Sequence, residues 1–247
     1  FFEMMQRAGF SLFRRSTPRL WNRTQQTRSL FTPCSVSYDI RDFHCAEPLM
    51  SEETFHRHYF EIYLPLFKKL NHLVSESEHK NEKSLLQVIR NTLDSPGESD
   101  LYNVASNVHN HMLFFENLEN RHHVDFDKMS ESSKQKILDN FTSMERLQHE
   151  FLCHAESMYG SGWIWLVDRR GALEVVSTHD NYSAEGTADS VTTILCLDMW
   201  EHSFWKDYGI RRELYMENFW KNVNWRVVDQ RLQQADLNNQ NASRISI

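Results

Sequence analysis

Gly160-Ser161-Gly162-Trp163-Ile164-Trp165-Leu166-Val167-Asp168-Arg169-Arg170-Gly171-Ala172-Leu173-Glu174-Val175-Val176-Ser177 reads as two antiparallel strands joined by a tight turn. The two apolar runs are short and rich in aromatic and β-branched side chains, and Asp168-Arg169-Arg170-Gly171 between them has the composition of a hairpin turn. A third strand is expected from Thr192 to Leu197. It runs into an aromatic-rich segment that ends in a helix with Tyr215, Phe219, Trp220 and Val223. The second half is therefore α+β, built on a small three-stranded antiparallel sheet.

Upstream of the hairpin the apolar period is helical. Ile137, Leu138, Phe141, Met144, Leu147, Phe151 and Leu152 keep that spacing, and polar residues from Glu119 to Ser133 separate them from the first half. From Ser51 to Val74, Phe55, Tyr59, Ile62, Tyr63, Leu66, Phe67, Leu70 and Leu73 mark an amphipathic helix with Glu52 and Glu53 in its first turn. Pro65 lies inside it and removes a backbone donor, so a kink or break is expected near Glu61. A short helix around Leu85, Leu86, Ile89 and Leu93 ends at Asp94-Ser95-Pro96-Gly97, and another carries Leu101, Val104, Ala105, Val108, Met112, Phe115 and Leu118. The chain thus divides into a basic N-terminal arm (1–40), an α-helical hairpin domain (41–124), an α+β C-terminal domain (125–231) and a polar tail (232–247). That tail is Asn/Gln-rich from Gln233 and is expected to be mobile or partner-bound.

Composition narrows the function classes. The 247 residues are 40 % hydrophobic, with no apolar run near the roughly 18 residues that span a bilayer. Cys34, Cys45, Cys153 and Cys196 show neither a C-x-x-C pair nor zinc-module spacing, which excludes a secreted disulfide scaffold and suggests reduced thiols. No internal repeat, P-loop, Gly-rich dinucleotide loop or G-x-S-x-G elbow occurs. Charge is uneven: Arg7, Arg14, Arg15, Arg19, Arg23 and Arg28 against Glu3 alone make the first 33 residues about +5, leaving 21 basic and 33 acidic residues, or −12, in the remainder. Arg-, Ser- and Thr-rich and acid-poor, this arm has the composition of a mitochondrial import sequence. Its arginines, interleaved with Phe10, Phe13, Trp21 and Phe31, equally suit a segment laid along RNA phosphates and stacked bases or along a partner protein.

Of the 13 histidines, His72, His79, His122, His123 and His149 lie in polar surroundings and read as solvated surface. His109 and His111, two apart on a helix, point to different faces, so one of them is expected to face inward. Asp198-Met199-Trp200-Glu201-His202 places a carboxylate and an imidazole four apart where a buried strand ends, a spacing that serves a metal or a plain Asp–His hydrogen bond.

With its surroundings, that motif resembles the iron/manganese superoxide dismutases. Gly160 to Leu166, the hairpin, Asp198-Met199-Trp200-Glu201-His202-Ser203-Phe204-Trp205-Lys206-Asp207-Tyr208 and Asn218-Phe219-Trp220-Lys221-Asn222-Val223-Asn224-Trp225 are similar to the family's C-terminal domain. Glu47 to Tyr59 and Asn103-Val104-Ala105-Ser106-Asn107-Val108-His109-Asn110-His111 resemble its two N-terminal ligand helices, so the likeness covers about 46–231. It implies metal ligands at His58, His111, Asp198 and His202, one iron or manganese ion, and surrounding roles for Trp163, Trp200 and Glu201. Three imidazoles and a carboxylate suit redox-active iron or manganese better than structural zinc.

Around these four the family pattern is changed. Ile62 stands where the family has a funnel histidine, Leu66 and Trp205 where it has funnel tyrosines, and His109 and Phe115 where it has tryptophans. The glutamine that tunes metal-bound solvent falls at Asn107 or Asn181, depending on the subgroup. Loss of polar funnel groups removes the acid–base half of dismutation. Glu201, which in the family bridges to a ligand histidine of the partner subunit, is kept, so a dimer with itself or with a diverged paralogue is implied. With the arginine-rich arm, the pattern resembles the superoxide-dismutase-like proteins of the mitochondrial small ribosomal subunit. The expectation is a matrix-located structural component that meets ribosomal RNA and neighbouring proteins through the arm, with no membrane partner. An active mitochondrial dismutase with a modified funnel is the alternative.

Overall fold

A computed structural model describes residue 31 and residues 46–119, 126–188 and 190–245. The six arginines of the basic arm, Cys34, Cys45, His122 and His123 lie outside the described residues. Ser51 caps α1 (Glu52–His56) by accepting from the Thr54 N–H. The chain then widens into a π-helical stretch, Arg57–Tyr63, and continues as α2 (Leu64–Glu76). The helix is not broken at Pro65, but around Glu61, where a kink or break is expected, its bonding departs from the α pattern. The π-helical stretch lies directly upstream of Pro65, which falls in the first turn of α2, and the Leu64 N–H reaches back to the Tyr59 carbonyl.

After α3 (Leu85–Thr92), α4 (Ser99–Glu116) runs through the middle of the helical half. It packs on α2, α3 and the sheet, so both of its faces are covered and His109 and His111 are both buried. That corrects the expectation of one inward histidine. His79 also departs from a solvated role: it is largely enclosed and lies 3.2 Å from Glu98.

The stretch expected as one helical run around Ile137 to Leu152 is two helices, α5 (Glu131–Phe141) and α6 (Met144–Ser157). Thr142, at φ 69°, ends the first, and Ser143 caps the second by accepting from the Arg146 N–H. Strands β1 (Gly162–Arg169), β2 (Ala172–His179) and β3 (Val191–Asp198) form an antiparallel sheet in the order β2-β1-β3. Arg170 and Gly171 both take positive φ in the hairpin turn, the conformation that matches strand twist. Gly162 admits no side chain, because a Cβ there would lie 2.2 Å from the Thr178 carbonyl oxygen.

A short α7 (Ala184–Thr187) precedes β3, and α8 (Glu201–Tyr208), α9 (Arg212–Trp220) and α10 (Trp225–Ile245) complete the second half. The proposed boundary of a polar tail at residue 232 falls inside α10. Leu232 and Ala235 are buried, and Asn239 donates to Asp168 at 2.9 Å, so these turns are packed helix. Buried side chains form one continuous core across both halves. Asn222 ties them together, accepting from the Leu49 N–H and donating to the carbonyls of Glu47 and Glu119. Among the described residues no helix is long and apolar enough to cross a membrane.

Candidate metal centre

Four elements bring one side chain each to the seam between the halves. His58 comes from the π-helical stretch, His111 from α4, Asp198 from the end of β3 and His202 from the first turn of α8. Their donor atoms all lie within 4.8 Å of one another. Asp198 Oδ2 sits 3.2 Å from His58 Nε2, 3.7 Å from His111 Nε2 and 3.3 Å from His202 Nε2. These four atoms are buried and make no hydrogen bond among the described residues. Donors about 2 Å from a common ion are left with separations of this size, so the orphaned set fits a metal.

Hydrogen bonds fix two of the donors, His111 and Asp198. The His111 Nδ1–H donates to the Asn107 carbonyl at 2.8 Å, a tautomer that leaves the Nε2 lone pair facing the cluster. Asp198 Oδ1 accepts from the Trp200 N–H at 2.7 Å, and the Asp198 carbonyl accepts from the Tyr215 hydroxyl at 2.9 Å. Burial lowers the pKa of His58 to about 4 and that of His111 to about 3, so both rings are neutral near pH 7. Burial pushes the Asp198 carboxyl up, but the adjoining His202 and His58 outweigh it and hold the group well below the usual carboxylate range. Neutral His58 and His111 beside an ionised Asp198 are the protonation states that metal binding requires.

Aromatic rings pack the cluster on its protein side. Phe114 stacks near His58 with centroids 5.5 Å apart, and Trp163 meets His111 edge-on at 5.1 Å. Trp200 lies 5.8 Å from His202. Tyr63 also stacks 6.1 Å from His111; in the sequence its only signal is a place five residues after His58, in the π-helical stretch. Asn107 and Asn181, the two alternatives for one role, are bonded to each other at 2.7 Å, leaving Asn107 Oδ1 without a partner among the described residues.

His202 is the member of the set that solvent reaches, at 23 % side-chain exposure. It opens onto a cleft of about 370 Å³ whose walls include Ile62, Trp205, Glu201, Arg57 and Lys206. Ile62 and Trp205 thus lie at the opening, and Glu201 is exposed beside them with no ion pair among the described residues. Leu66 is half-buried on α2 and does not line this cleft. The arginines expected to contact RNA cannot be related to the site, since they lie outside the described residues.

Comparison with known proteins agrees with this geometry. Residues 129–231 match the family described as iron/manganese superoxide dismutases, C-terminal domain. The chain is also similar to an iron superoxide dismutase of Entamoeba histolytica, with 30 % identity over 192 residues that cover 77 % of this chain and 94 % of that protein. Likeness over nearly the whole of that relative, with the sheet and the four converging side chains in place, shows that the chain belongs to the iron/manganese superoxide dismutase family.

Proposed function

We propose that this chain is a structural component of the mitochondrial small ribosomal subunit that keeps a dismutase-type centre able to hold one iron or manganese ion. The observation that carries this reading is the contrast at the site: four intact donors behind an opening lined by Ile62 and Trp205. His58, His111, Asp198 and His202 would hold the ion, which when bound supplies one-electron redox chemistry. Dismutation also needs protons delivered to the nascent peroxide, and neither an isoleucine nor an indole ring does that. The centre then serves the fold, joining the π-helical stretch, α4, β3 and α8 at one point.

Six arginines against one acid in the first 33 residues support contact with ribosomal RNA or its proteins, because phosphate contacts of this kind are sequence-tolerant and suit a large particle. Their acid-poor, Arg- and Ser/Thr-rich setting supports a matrix location. Glu201, exposed beside the cleft, supports pairing with a second copy or a diverged paralogue through this face. Removal of residues 1–33 is expected to abolish binding of the purified chain to purified, salt-washed small subunits; unchanged binding overturns the proposal.

The intact donor set and the Entamoeba relative favour a second reading, an active dismutase with an altered entrance. Superoxide removal by the purified, metal-loaded chain, abolished in His111→Ala, would establish it.

A further inference from the structure

α6 and α9 pack against each other and leave between them a groove of about 600 Å³ that shares no residue with the cleft at His202. Its floor is apolar. Met216 is buried, and Leu152 and Trp220 are half-buried. Trp220 is fixed in place: Phe151 meets it edge-on at 5.1 Å, and Trp225 lies parallel to it at 6.2 Å. The rim is acidic. Glu145, Glu213 and Glu217 are exposed along it, and Glu213 and Glu217 take part in no ion pair among the described residues. Facing them are His149 and Lys221, whose ammonium donates to Asn218 Oδ1 at 2.9 Å.

We propose that this groove docks a basic, apolar-anchored segment of a neighbouring protein. One apolar side chain would seat on Leu152, Met216 and Trp220, and flanking Arg or Lys side chains would pair with Glu145, Glu213 and Glu217. A half-buried indole between carboxylates suits a cation twice over, since the ring face and the carboxylates attract the same charge. The same rim disfavours RNA and anionic lipid, whose phosphates would meet three carboxylates against one ammonium. The acidic remainder of the chain, −12 beyond residue 33, favours the same class of partner. This surface stands independently of the ribosomal reading.

A fluorescent peptide of repeated Arg-Leu-Leu units, its Glu-Leu-Leu counterpart and a poly-uridylate oligomer serve as probes of the full chain, with hydrogen exchange to locate them. The basic peptide is expected to bind and to slow exchange in α6 and α9, and to weaken as salt rises. The combined substitution Glu145→Gln, Glu213→Gln and Glu217→Gln should weaken it roughly tenfold, the sum expected of three exposed ion pairs. Leu152→Arg should weaken it by blocking the floor, with the thermal midpoint of each variant showing that the fold survives. Affinity unchanged by the glutamine substitutions, no protection of α6 and α9, equal binding of the acidic peptide, or protection of these helices by poly-uridylate would each overturn the proposal.

Discussion

At His111 one hydrogen bond and complete burial settle the chemistry of the ring. The Asn107 carbonyl takes the proton on Nδ1, burial keeps the ring uncharged, and Nε2 has no recipient except the point that His58, Asp198 and His202 also face. Replacing it removes one of four donors and leaves a cavity beside Tyr63 and Trp163. His111→Ala is therefore expected to lower iron or manganese content after reconstitution by roughly tenfold or more, read by elemental analysis of the folded protein. Content equal to the parent's would place the metal elsewhere. Of the four donors, spacing alone marks only the Asp198–His202 pair, and the resemblance to the family's ligand motifs is what implies His58 and His111. The link between Asn107 and Asn181 was not legible: the two residues are 74 positions apart, and only the folded chain sets α4 beside the segment before α7.

The C-terminal helix shows what a pattern of polar residues conceals. Read by composition, residues 232–247 form a tail, yet α10 passes across the sheet and is pinned there by a polar cluster. Asp168, 1 % exposed on β1, accepts from Lys136 at 2.7 Å, from Asn239 at 2.9 Å and from the Gly171 N–H at 2.9 Å, and Lys136 also pairs with Asp236 on α10. Burial alone would raise the Asp168 carboxyl, but these donors outweigh it and lower its pKa from 3.8. A carboxylate with a depressed folded-state pKa contributes stability that is present above its unfolded value and is lost as pH falls through the folded value. Asp168→Asn is accordingly expected to cost about 1–3 kcal/mol at neutral pH and to flatten the loss of stability below about pH 4, measured by denaturant unfolding across pH. A variant with the parent's acid limb would show that the cluster is not coupled to folding. The strands, by contrast, were readable almost residue by residue, because their apolar runs are short and bounded by Gly160 and by the Arg170–Gly171 turn. The π-helical stretch before Pro65 was not, since nothing in the composition of Arg57–Tyr63 marks a widened helix, although both His58 and Tyr63 are buried there.

For the whole molecule, the two halves share one core and meet at the four-donor centre, with Asn222 joining their backbones nearby in sequence to α9. The family's architecture is preserved, and at the entrance to its centre Ile62 and Trp205 stand among Arg57, Glu201 and Lys206. The most direct measurement is sedimentation of mitochondrial lysate on a magnesium-containing gradient, with and without RNase, probing for this chain. Comigration with the small ribosomal subunit that is lost after RNase treatment is the predicted result. A slow peak at the size of a dimer, indifferent to RNase, would contradict it.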